Sequence, residues 1–116
     1  MKKLVLVLAV GWSAASAATR VGQSAEGEWY HLETASHGSI ARVWLLLERA
    51  VPDPAGARSA KVLYEINCPD HTVRATIHDF AQPRGQGRLV NSSTTREWAP
   101  IIPGTNPHTL LPVVCR

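Results

Sequence analysis

Two cysteines, Cys68 and Cys115, constrain this chain more than any other feature. Bonded, they tie the end of the chain to its middle and close a ring of about 48 residues. Any fold must then bring those two positions side by side. Neither belongs to a Cys-x-x-Cys pair, and two isolated cysteines make a poor metal site. Stable pairing needs an oxidising compartment, so the question passes to the N-terminus.

There, Lys2 and Lys3 precede an apolar run at residues 4–12 and small residues at 13–17 that end Ala15-Ser16-Ala17. This is the layout of a secretory signal peptide cut before Ala18, and the run is too short to span a bilayer. A buried strand is the competing reading, but nothing polar alternates with the apolar residues. The expected organisation is a signal peptide at 1–17, a flexible leader of small and polar residues at 18–27, and a single domain at 28–116. Export places the cysteines where they pair, giving a Cys68–Cys115 disulfide. The destination is the periplasm or the cell surface. No lipid-anchor cysteine follows the cleavage site, and no second apolar run is long enough for a membrane span. Of the 12 basic residues, Lys2 and Lys3 leave with the signal, so the chain behind them is close to neutral against 9 acidic residues. That balance gives no argument for nucleic-acid binding.

The domain reads as strands between turn residues. Residues 28–32 form a short aromatic strand. Residues 39–49 form a long one, apolar on both faces near its end as in a central strand, with a Leu-rich helix as the competing reading. Pro52-Asp53-Pro54-Ala55-Gly56 is a loop. In the strand at 59–68, Val62, Tyr64, Ile66 and Cys68 share a face; in the strand at 72–80, Val73, Ala75 and Ile77 do. A four-residue loop at 69–72 would set Cys68 opposite Val73, Ile66 opposite Ala75 and Tyr64 opposite Ile77. Any even loop keeps these sets on one face, which Cys68 marks as buried. Residues 83–87 read as a flexible turn, 88–94 as a polar edge strand and 98–103 as irregular. Thr105 or Asn106 caps a final helical segment that has Pro107 in its first turn. Pro112 cuts it to one or two turns, with 3₁₀ character allowed. The predicted fold is α+β: a small antiparallel sheet of about five to six strands, with a short C-terminal helix pinned to one face by the disulfide.

Catalytic chemistry is sparse. The 5 histidines (His31, His37, His71, His78, His108) show no metal-ligand spacing. The hydroxyl run Ser92-Ser93-Thr94-Thr95 lacks a nucleophile elbow. Gly85 and Gly87 open no helix and cradle no phosphate. Glu65 and Glu97 could work together only if the fold joined them. The expectation is no catalysis, no metal and no cofactor. Arg84 and Arg88, flanking the glycine turn, and Trp98, after a polar stretch, are the candidate partner contacts.

Several pieces occur in a recognisable order: Ser39-Ile40 with Val43-Trp44; Ser59-Ala60-Lys61-Val62-Leu63-Tyr64-Glu65-Ile66-Asn67-Cys68; Gly85-Gln86-Gly87; Glu97-Trp98-Ala99-Pro100-Ile101-Ile102-Pro103-Gly104; and Val114-Cys115. The set, running from about Trp29 to Cys115, resembles the surface-adhesin protein E-like family. The resemblance implies a small antiparallel sheet with a C-terminal helix tied to it by the cysteines, in a cell-envelope protein. Namesake members bind host extracellular-matrix and serum proteins. They can be lipid-anchored, which this sequence does not match, and Pro112 falls where their helix continues. The leading expectation is a non-enzymatic exported binding protein with a protein partner, a homodimer being one option. The alternative is a soluble periplasmic accessory or inhibitor-like module that binds another envelope protein or a small ligand. A small hydrolase using His78, Ser92 and Glu65 is a distant third.

Overall fold

The alternation in residues 40–67 is carried into space as two central strands of one sheet. A computed structural model describes residues 19–115. Among these are β1 Thr19–Ser24, β2 Gly27–His37, β3 Ile40–Arg49, β4 Ser59–Asn67, β5 Thr72–Gln82, β6 Gln86–Thr94, β7 Ala99–Pro100 and helix α1 Asn106–Val114. The expected signal peptide at 1–17 lies outside the described residues. β1 to β6 follow one another in sheet order, each antiparallel to the next, and β7 pairs with β5. β6 holds the edge of β5 from Thr76 to Gln82, and β7 continues that edge at Thr72 and Val73.

One face is apolar. Ala41, Val43, Leu45 and Leu47 of β3 lie opposite Ile66, Tyr64, Val62 and Ala60 of β4. Trp29 from β2 and Leu110 from α1 join them in a single buried cluster, with Val73, Ile77 and Ile101 packed against it. Fully burying a side chain of this size contributes roughly 1.5–3 kcal/mol. An acid–base cluster stands beyond the core, where the Arg49 Nη2 donates to Asp79 Oδ1 at 2.8 Å. Asp53 braces the adjoining loop by accepting the Ala55 and Ala57 backbone N–H groups. Residues 40–49 are therefore strand, and the helical reading of that segment falls.

Three expectations need correction. Residues 19–24 are no flexible leader. They form edge strand β1, in which Val21 packs on the core and Ser24 Oγ accepts the Trp29 indole N–H at 3.0 Å. The segment looks like a leader because an edge strand needs few apolar residues. Secondly, the β4–β5 hairpin closes at Asn67 opposite Thr72, so Ile66 faces Val73 and Tyr64 faces Ala75. The four-residue loop is thus 68–71, one position earlier than expected. His71 takes a left-handed conformation (φ 54) and Cys68 N–H goes to the Ser39 carbonyl, which removes both from the β4–β5 ladder. Parity survives, as an even loop requires. Thirdly, α1 is a nine-residue α-helix running through Pro112. A proline there forfeits one late hydrogen bond, and Cys115 N–H resumes the pattern by donating to the Leu111 carbonyl at 2.9 Å.

The turn at 83–87 is also better anchored than its composition suggests. Arg84 (φ 65) and Gly85 (φ 68) are both left-handed and Gln86 N–H returns to the Pro83 carbonyl, the geometry of a primed hairpin turn. Arg84 N–H donates to Glu48 Oε1 and Gly85 N–H to Ser59 Oγ, both at 2.8 Å.

Candidate functional site

The two cysteines meet as expected, with Cα atoms 5.4 Å apart and a formed disulfide. It fastens the end of α1 to the end of β4 on the apolar face. At the other end of the helix, Asn106 stands near the Tyr64 hydroxyl, whose pKa is pushed up by burial and only partly drawn back by that neighbour. Beside the disulfide is an open cleft of about 420 Å³ that includes Gly38, Ile40, Pro69 and His71 in its lining.

Among the described residues the opposite face of the sheet is covered only at one end, where the Pro83–Gly85 turn packs over Ser59, and its other end carries an ordered set of contacts. Arg42, Glu65 and Arg74 stand side by side on β3, β4 and β5. Arg42 Nε donates to Glu65 Oε2 at 3.0 Å and Arg74 Nε to Glu65 Oε1 at 2.8 Å. The Arg74 guanidinium lies 4.5 Å from the Trp98 ring centroid, a cation–π arrangement. The next row holds Trp44, Leu63 and Thr76. Trp44 stacks with His78 at a centroid distance of 6.3 Å. Trp44 and Leu63 are half-buried, so apolar area adjoins the charged row.

The candidate contacts named from sequence do not converge. Trp98 belongs to the Arg74 end of the uncovered face. Arg84 lies in the turn beyond the far end of β5, so a strand length of roughly 25 Å separates it from Arg74. Arg88, on β6 just before the Leu89–Phe80 pair, sits toward the same far end. Both arginines are exposed. Sequence reasoning missed Arg42 and Arg74. The signal was a basic–acidic–basic row across three strands, and it becomes visible only with the correct register.

The fold does join one pair from the distant third reading: His78 Nδ1 and Ser92 Oγ are 2.8 Å apart. Glu65 stands elsewhere, four strand positions or about 13 Å along the sheet, with both carboxylate oxygens engaged by arginines. Among the described residues no carboxylate hydrogen-bonds the His78 ring. The arrangement is a cross-strand contact flanked by an indole, without the third group that orients a catalytic base. Nor, among the described residues, is there a group of three His, Cys, Asp or Glu that could hold a metal ion, or a helix long and apolar enough to cross a membrane.

The architecture so assembled is a meandering antiparallel sheet, one face covered by a C-terminal helix that a disulfide fastens, the other, among the described residues, open over much of its area and set with arginine and tryptophan. No match is found among curated proteins or among solved structures. The family model for surface-adhesin protein E matches residues 19–116. That span starts at β1 and takes in every described strand, the helix and both cysteines, so the chain belongs to the surface-adhesin protein E family.

Proposed function

We propose that the protein is an exported cell-envelope binding protein that acts by protein–protein contact, with host matrix or serum proteins as its partner class, and carries out no catalysis. Family membership supports the adhesin-like part. The observation that carries the rest is the difference between the two faces of the sheet. The main apolar cluster lies on the helix side, while the other side, away from the end where the Pro83–Gly85 turn covers Ser59, presents Trp44, Leu63, Arg42, Arg74 and Trp98 to solvent. Tryptophan and arginine are the residues most enriched at the energetic centres of interfaces. A covalently fastened helix holds the platform rigid, which lowers the ordering cost of association. The disulfide fits an oxidising compartment.

The test is protease treatment of intact cells, followed by detection of the protein. Loss of the protein from intact cells is expected. Protection until the outer membrane is opened would sink the host-binding part. In its place would stand a soluble periplasmic module that binds another envelope protein, and a stoichiometric partner should then co-purify.

A further inference from the structure

We infer that the Arg42–Glu65–Arg74 row is a recognition site for a short acidic segment of the partner protein. This deepens the binding function proposed above and rests on it. Two guanidinium groups share one carboxylate, so the row keeps an excess positive charge. Each arginine spends its Nε on Glu65. Among the described residues the η-nitrogens of Arg42 have no partner, and those of Arg74 have only a 3.5 Å contact to the Arg96 carbonyl. Two sets of donors are therefore left facing outward. Their side chains are 49% and 36% exposed, against 14% for Glu65. Glu65 thus works as a positioning residue: it fixes both forks from below. Trp98 fixes the plane of the Arg74 fork from the side. Planar, prealigned forks suit carboxylates, which they hold in paired hydrogen bonds.

The same face argues against a long polyanion as the occupant. Glu28 and Glu48 face each other on β2 and β3, about 20 Å along the sheet from Arg42. Glu33, opposite Trp44, lies nearer still. Arg20 offsets Glu28 at 3.6 Å and Lys61 is held over the Phe80 ring, but a sulfated polysaccharide laid along the strands would still run into Glu33 and Glu48. An acidic cluster of one or two carboxylates avoids them, and its apolar neighbours would meet Trp44 and Leu63. Charge beside an apolar patch is the surface of a protein partner.

The experiment titrates hexaglutamate peptide into the ¹⁵N-labelled mature protein at low salt, following the Arg42 and Arg74 Nε–H and Trp98 indole signals. Saturable shifts at these three groups are expected. Affinity should fall severalfold as salt approaches physiological strength, and hexalysine should leave the signals unmoved. Arg42→Gln alone should weaken binding severalfold, and Arg42→Gln with Arg74→Gln about tenfold or more, with native-like thermal melting showing that the variants fold. Absence of saturable shifts, or a Trp98 indole shift that survives with unchanged affinity in the folded double variant, overturns the assignment. So does a sulfated hexasaccharide that binds the same groups at least about tenfold more tightly than the peptide. Failure here together with loss of the protein under protease treatment of intact cells removes the acidic-segment site and leaves surface binding standing. Peptide binding at these groups by a protein shielded within the envelope supports the site and moves its partner to the periplasm.

Discussion

Removing the disulfide is the sharpest perturbation this fold offers. Cys68 and Cys115 are 47 positions apart, and the chain-entropy cost of leaving that ring open is about 4 kcal/mol. A domain of this size has roughly 5–15 kcal/mol in total. The loss should also be spatially uneven. α1 has nine residues, below the roughly 12–15 at which an isolated helix becomes marginal. Its buried residues are Pro107 and Leu110. Leu110 contributes about 2 kcal/mol by burial. Without the covalent link this is a weak hold, so α1 should open well before the sheet. The Cys68→Ala/Cys115→Ala protein should lose about 4 kcal/mol in urea unfolding and roughly 15–30 °C in Tm. Native-state amide exchange should show Leu110 and Leu111 losing protection first, while β3 and β4 amides stay slow. The reasoning fails if the stability loss is under about 1 kcal/mol, or if the helix amides exchange as slowly as those of Val43 and Val62.

Three further outcomes follow from single groups. Ser59 is fully buried. Its hydroxyl donates to the Gln82 carbonyl at 2.6 Å and accepts Gly85 N–H at 2.8 Å, so Ser59→Ala should cost about 2 kcal/mol by leaving both unsatisfied; an unchanged urea midpoint would contradict this. Asp79→Ala leaves Arg49 facing only Asp53 at 4.0 Å, with an already unpaired buried Nε. A loss of about 3 kcal/mol is expected in chemical unfolding, and a loss no larger than for an exposed aspartate would show that the pair is solvated. Tyr64 and Tyr30 both titrate above 10.0, Tyr64 chiefly through burial and Tyr30 chiefly through its hydrogen bond to Glu28. The unfolded chain ionises first, so their contribution is complete below pH 10 and declines as pH rises past it. Urea midpoints measured across that range should fall less steeply for Tyr64→Phe than for the native protein; identical slopes would remove Tyr64 from the account.

Much of this fold is legible from pattern. The parity of Val62, Tyr64 and Ile66 against Val73, Ala75 and Ile77 identifies the buried face and places Cys68 beside it. What escapes the sequence does so for physical reasons. β1 shows a single inward apolar residue, Val21, so its period-2 signal is too faint to read. β2 runs on through Glu33, Thr34, Ala35, Ser36 and His37, all exposed, held by ladder hydrogen bonds rather than by burial. The slip of the β4–β5 hairpin depends on His71 adopting positive φ, which local composition does not announce. That slip also hid the candidate site. In the expected register Glu65 faces Thr76, whereas in the observed one it faces Arg74, and the charged row appears only then. Parity tolerates an error of two residues. A cross-strand charge pair does not.

The division of labour between the two faces has a consequence for how such a protein can change. Trp29, Leu45, Ile66 and Leu110 form the core on the helix side, and the disulfide lies there too. Arg42 and Arg74 lie on the other side, partly exposed, in ion pairs of the kind that contribute only about 0–1 kcal/mol each. Arg42→Gln with Arg74→Gln should therefore shift the urea-derived stability by about 1 kcal/mol or less, a quarter of what the disulfide contributes. The open face could then be rewritten for a different partner while the cysteine-fastened helix keeps the sheet intact. A loss in the double variant approaching that of the disulfide would mean that the charged row is itself part of the fold's support, and binding and stability could not be separated in this way.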